Sequence, residues 1–153
     1  MDERSGKVLS RLENQCARRE YCRSDVMAKA IKALEGDAEA AEEVVASLVK
    51  DGYVDELRYA TAFAREKSSL TGWGPYKIKL ALGAKRISRD VIESALAGID
   101  CDRADSRLEK LLEARWRMIK EDPQARLKLL KYALARGYEY DDVEAAVRRL
   151  TGN

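Results

Sequence analysis

Apolar residues recur along this chain at the 3.6-residue period of amphipathic helices. In AEAAEEVVASLVK, Ala41, Val44, Val45, Leu48 and Val49 form one stripe, with Glu42 and Glu43 outside it. VIESALAGI repeats the pattern with Val91, Ile92, Ala95, Leu96 and Ile99, and VEAAVRRL with Val143, Ala146, Val147 and Leu150. No alternating β-branched run of the strand type occurs, and proline appears only twice. The pattern predicts an all-α fold.

Helix starts punctuate the pattern at related places. Pro75 follows Gly74 and Pro123 follows Asp122, each expected in the first turn of a basic helix, where the missing proline N–H is no loss. Ser24 is expected as the corresponding cap before DVMAKAIKAL. Three blocks then share one order of parts: a long helix, a shorter helix and a small apolar-striped helix. The expected helices are 7–21, 24–34 and 38–50; 54–70, 75–84 and 88–98; 102–121, 123–135 and 139–150. In the closing helices Val45, Ile92 and Val143 align, as do Leu48, Ala95 and Ala146. These spacings suit helical repeats, which bury a core only by stacking on neighbours. The predicted organisation is three tandem three-helix repeats, 1–51, 52–100 and 101–153, in an elongated, curved body.

Composition removes most chemistry. With no histidine and three cysteines (Cys16, Cys22 and Cys101) outside any Cys-x-x-Cys pair, there is no sensible zinc ligand set. The usual Ser–His and Cys–His nucleophile pairs are absent as well. The expectation is reduced, half-buried thiols, no metal, no cofactor and no catalysis. No apolar run approaches the roughly 20 residues of a membrane helix. The start MDERSGKVLS lacks an apolar signal core, so a cytoplasmic location is expected.

Charge is uneven although the net value is only +2. Residues 1–70 hold 12 Lys and Arg against 14 Asp and Glu, while residues 71–153 hold 17 against 13. Residues 35–56 are markedly acidic; residues 77–89 carry Lys77, Lys79, Lys85, Arg86 and Arg89 with no acid among them. Such asymmetry fits one face toward nucleic acid or an acidic partner, or simply a solvated helix face.

The stretch TGWGPYKIKL admits three readings: a phosphate loop, a DNA-reading helix-turn-helix, or a joint between helices. The first fails, since neither a Walker-type nor a complete Gly-x-Gly-x-x-Gly spacing is present and no strand precedes the glycines. Gly72 and Gly74 are expected to turn the chain without a left-handed penalty. Trp73 is expected to pack at the joint, or else to stand exposed as a contact residue.

DGYVDELRYATAFAREK, GWGPYKIKLAL and KRISRDVIESAL, in that order, resemble the central signature of the RecX family, regulators of the RecA recombinase. The matching residues are Gly52, Tyr53, Asp55, Arg58, Tyr59 and Ala60; then Gly74, Pro75, Lys77 and Ile78; then Ile87, Ser88, Ile92, Ala95 and Leu96. CARREYCRSDVMAKAI and DPQARLKLLKYALARGYEYDDVEAAV are similar to the family's opening and closing repeats. The resemblance therefore runs from about Leu12 to Leu150. Two residues depart from it: Arg86 stands where the family usually has glycine, and Cys22 sits where small polar residues are common.

The resemblance implies a non-enzymatic modulator that lodges in the groove of a RecA filament on DNA. It would alter, most simply inhibit, ATP hydrolysis and strand exchange in recombination and repair. The expected partners are the RecA filament and DNA, single-stranded and also duplex, bound without regard to sequence. The expected contact surface comprises Lys77, Lys79, Lys85, Arg86, Arg89, Arg126, Lys128, Lys131 and Arg136. Tyr53 and Tyr59 are expected in the core. A helix-turn-helix transcription factor is the alternative, weakened because SRDVIESAL and DDVEAAV put acids where base-reading side chains belong. A purely protein-binding helical scaffold is the third reading.

Overall fold

Short polar side chains start several of the helices by accepting otherwise orphaned backbone N–H groups. Asp2 accepts from Ser5 N–H at 2.7 Å, opening α1 (Glu3–Arg18), and Asp37 accepts from Ala40 N–H at 3.1 Å, opening α3 (Ala38–Lys50). Asp55 accepts from Arg58 N–H at 2.9 Å before α4 (Glu56–Ser69). Ser88 accepts from Val91 N–H at 3.4 Å before α6 (Arg89–Ala97). The other helices are α2 (Arg23–Ala33), α5 (Pro75–Ala84), α7 (Cys101–Ile119), α8 (Ala125–Ala135) and α9 (Tyr140–Thr151). The computed structural model describes residues 1–99 and 101–152, without the side chains of 101–104, so the Cys101 thiol lies outside the described residues. Among the described residues all regular structure is helical, as the periodicity predicts.

The chain forms two compact units. The first is Met1–Phe63 with Leu82–Ala95, the second Ala64–Ala81 with Leu96–Asn153. In the first, α1, α2 and α3 pack pairwise. Their core holds Val8, Leu12, Val26, Val44, Val45 and Leu48, with Tyr53 packed against it. Burying each of these aliphatic side chains contributes about 1.5–3 kcal/mol. In the second, α7, α8 and α9 enclose Leu108, Leu112, Leu129, Val143 and Val147. Cys16 and Cys22 are buried rather than half-buried, and burial pushes both thiols above the ordinary value. Val49, expected on the apolar stripe of α3, is exposed, because it closes the stripe one position past the edge of the core.

Three local expectations need correcting. Pro123 is not the first residue of α8: it lies in a turn in which Ala125 N–H donates to the Asp122 carbonyl at 3.0 Å. The Asp122 carboxylate accepts from Gln124 N–H at 2.8 Å, and proline suits the second position of such a turn. Ser24 does not cap α2, whose cap is Cys22; the Ser24 hydroxyl instead donates to the Lys85 carbonyl at 2.8 Å. Gly72 does adopt a left-handed φ of 70°, but Gly74 does not.

Gly74 is required for another reason. A Cβ there would lie 2.4 Å from the Gly137 carbonyl carbon, and a Cβ on Gly137 would lie 2.1 Å from that of Lys77. The two backbones touch. Gly74 N–H donates to the Arg136 carbonyl at 2.7 Å, and Tyr76 N–H donates to the Gly137 carbonyl at 3.0 Å. The α8–α9 turn thus satisfies a first-turn N–H of α5, while Pro75 brings none.

Gly74→Ala forces these backbones apart and should cost about 2–3 kcal/mol by overpacking. Gly83→Ala, in open space within α5, should instead stabilise by about 0.5–1 kcal/mol. Urea denaturation of both variants checks the contrast.

Candidate functional site

The residues of the central signature are mostly occupied in building the chain. Gly52 ends the turn after α3 with a φ of 79°. Arg58, on the first turns of α4, donates through its guanidinium to the carbonyls of Gly52 at 3.0 Å and Tyr53 at 3.2 Å, and also to Glu20. One arginine therefore ties that turn, α4 and the segment after α1 together. Tyr59 is half-buried, stacks on Phe63 with ring centroids 6.0 Å apart, and burial raises its pKa. Ile87 is buried and Ser88 caps α6. Sequence reading flagged Arg58 without a task for it, because its partners lie up to 38 residues away.

Arg86 has a φ of 61° in the turn between α5 and α6. A left-handed backbone is disfavoured for any residue with a Cβ. The glycine usual at this place in the resembling family would adopt it freely.

The nine expected contact residues are distributed over both units. In the first, Lys85 pairs with Asp25 at 2.9 Å and Arg89 with Glu93 at 3.2 Å, while Arg86 is exposed. In the second, Arg126 pairs with Glu144 at 3.4 Å, and Lys128 pairs with Asp122. Arg136 donates to the Tyr132 hydroxyl at 2.9 Å. Lys79 and Lys131 are exposed, with no ion pair among the described residues, and Lys77 is half-buried. Salt bridges from several of these cations to carboxylates reduce the free positive charge below what the sequence suggests.

The structure also pairs aromatic rings with cations, which sequence reading missed. Trp73 is half-buried, with the ammonium groups of Lys67 and Lys77 at 5.0 and 4.6 Å from its ring centroid. It is thus both a joint residue and partly open. The Tyr132 ring has the Arg115 and Arg136 guanidiniums at 5.0 and 4.9 Å. Arg136 links this group to the Gly72–Gly74 turn, since its carbonyl accepts from Gly74 N–H. On α8 only the i+4 spacing of Tyr132 and Arg136 could have signalled the arrangement.

In the first unit a cleft of about 550 Å³ opens beside α2, with Arg23, Glu42, Glu56 and Arg86 around an apolar floor. Arg23 reaches Glu42 at 2.7 Å through its guanidinium and Glu56 at 2.6 Å through its backbone N–H. Among the described residues, no helix is long and apolar enough to cross a membrane.

Residues 55–96 match the family model described as RecX, second three-helix domain. The chain is 30% identical over 134 residues to a regulatory protein RecX of Chromohalobacter salexigens, covering 86% of this chain and 84% of that protein. It is 31% identical over 104 residues to one of Clostridium perfringens, covering 65% of this chain but 48% of that protein, so it spans about half the length of that relative. A crystal structure of RecX from Lactobacillus salivarius shares the fold, with a TM-score of 0.88, 20% identity and 100% of both chains covered.

The Asp25–Lys85 pair yields a pH dependence. Burial opposes the charged form of Asp25, but the hydrogen bonds from Lys85 and Cys22 and the nearby positive charges of Lys85 and Arg19 together outweigh it and hold the carboxyl below its ordinary 3.8. The hydrogen bond to Asp25 holds Lys85 above its ordinary 10.5, against desolvation. The Asp25 contribution to stability is therefore present above about pH 4 and lost as pH falls through its lowered folded value. The Lys85 contribution is lost as pH rises through its raised folded value. Both side chains are partly exposed, so Asp25→Asn should cost only about 0.5–1 kcal/mol at pH 7. Urea midpoints should show that deficit at pH 7 and its narrowing by pH 3.

Proposed function

We propose a function on one premise, that the chain belongs to the RecX family: it binds the RecA nucleoprotein filament and lowers RecA ATP hydrolysis and strand exchange. The observation that carries the reading is the likeness to a regulatory protein RecX along most of both chains. It acts by occupying a surface rather than by chemistry. Its residues supply electrostatic complementarity and a rigid scaffold, and no bond is made or broken.

The division of labour follows from charge. Helix α8 with its C-cap Arg136, and the start of α5, carry Lys77, Lys79, Arg126, Lys128, Lys131 and Arg136 without an acidic residue of their own. Phosphates are the partner such helices suit, through contacts indifferent to base sequence. The Trp73 and Tyr132 rings hold Lys77 and Arg136 against them, which helps to position these two cations. The division into repeats 1–51, 52–100 and 101–153 and a cytoplasmic location belong to the same proposal.

The transcription-factor reading receives less support. Helix α6 has Asp90 in its first turn and α9 has Asp141 and Asp142, which would face phosphate if either entered a groove.

The test is ATP hydrolysis by RecA on single-stranded DNA, titrated with this chain. The expected outcome is a loss of rate at ratios well below one chain per RecA. An unchanged rate up to equimolar amounts, with folded protein and the RecA of the same organism, overturns the reading.

A further inference from the structure

We propose that the cleft beside α2 is a docking site for a protein segment, one that places an apolar side chain on its floor and a carboxylate on Arg86. This rests on the proposed action on RecA and assigns one part of the surface to protein rather than to DNA. The floor is Met27, Ala28 and Ile31, and the rim holds Arg86, Glu42 and Glu56.

Charge decides the class of occupant. Glu42 and Glu56 are already engaged by Arg23, one by its guanidinium and one by its backbone N–H. Neighbouring Lys85 is engaged by Asp25. Arg86 is exposed and has no carboxylate partner among the described residues. The rim therefore offers one unspent guanidinium. A nucleic-acid backbone is a poor match, since its repeated phosphates would run against Glu42 and Glu56. An apolar floor gives phosphates nothing, whereas a protein side chain gains from burial there. A single carboxylate beside an apolar side chain fits both features.

Backbone strain adds an independent observation. Arg86 holds a left-handed φ of 61°, which a glycine would adopt without cost. Its backbone N–H closes the turn onto the Gly83 carbonyl at 3.0 Å, a bond that glycine would make equally well. The side chain adds nothing to the turn and makes its backbone less favourable. Strain kept at a cleft rim is the kind associated with binding sites. The turn itself is fixed to α2 by the Ser24 hydroxyl and by the Asp25–Lys85 pair, so Arg86 is held in place beside the cleft.

The test compares Arg86→Gly, Arg86→Lys and Ala28→Glu with the unaltered chain. Ala28 is exposed, so a glutamate there places a negative charge on the floor without disturbing the core. Binding is measured to RecA protein without DNA and, separately, to an oligothymidylate alone. The Arg86→Gly chain should melt a few degrees higher, yet bind RecA about tenfold more weakly, the loss of one charge-assisted hydrogen bond. Ala28→Glu should weaken RecA binding similarly, and Arg86→Lys should fall between. Affinity for the oligothymidylate should stay within about twofold, as expected when no phosphate contact is removed.

If Arg86→Gly and Ala28→Glu bind RecA as the unaltered chain does, the cleft is not a docking site. If Arg86→Gly loses oligothymidylate affinity instead, Arg86 is a phosphate contact and the proposal is wrong. If the unaltered chain binds no RecA in the absence of DNA, the occupant assigned here is wrong, whereas the proposed function stands or falls separately on RecA ATP hydrolysis.

Discussion

The second unit depends on a contact between two backbones. The turn before α5 and the turn between α8 and α9 meet at Gly74 and Gly137, closer than any side chain would permit. That closeness allows the Arg136 and Gly137 carbonyls to accept N–H groups from Gly74 and Tyr76. The start of α5 is thereby capped by another part of the chain rather than by its own side chain. Trp73 and Arg136 stand at fixed positions as a result, each with its cation or ring partners. The first unit has a smaller counterpart: Arg58 fixes the chain between α3 and α4 by binding two successive carbonyls.

These constraints change the meaning of the family signature. Gly52, Asp55, Arg58, Gly74, Pro75 and Ser88 carry out turning, capping and clamping. In the proposed function, binding belongs to residues around them, set on a frame that the signature keeps rigid. The basic residues divide in turn. Lys85, Arg89, Arg126 and Lys128 are held by carboxylates of this chain, whereas Lys79, Lys131 and Arg86 reach solvent. In the proposed function, such residues attract a polyanion by general charge and a protein by the few groups left unpaired.

The helices were legible because periodicity and capping are local. Asp37 and the stripe Ala41–Val44–Val45–Leu48 define α3 within a single window of sequence. What was not legible depends on residues far apart in the chain. Gly74 reads as a turn residue, but Gly137, 63 positions on, supplies its actual requirement. Ser24 reads as a cap, yet it is spent on a carbonyl 61 residues away. One difference is local: Pro123 precedes the start of α8 by two residues, since an Asp-Pro turn and a helix start have the same local signal. The candidate surface was legible as charge alone. Which cations are neutralised is set by salt bridges such as Lys85–Asp25, across 60 residues.

Amide hydrogen exchange of the chain, alone and with RecA filament on single-stranded DNA, tests most directly whether the signature is frame and the surroundings are the contact. The account predicts slowed exchange in α2 around Met27–Ile31, in the turn at Arg86 and along α8. The Gly74 and Tyr76 amides, already bonded within the chain, should exchange slowly in both states. Protection confined to the Gly74–Tyr76 joint, or none anywhere on a filament that binds the chain, would contradict it.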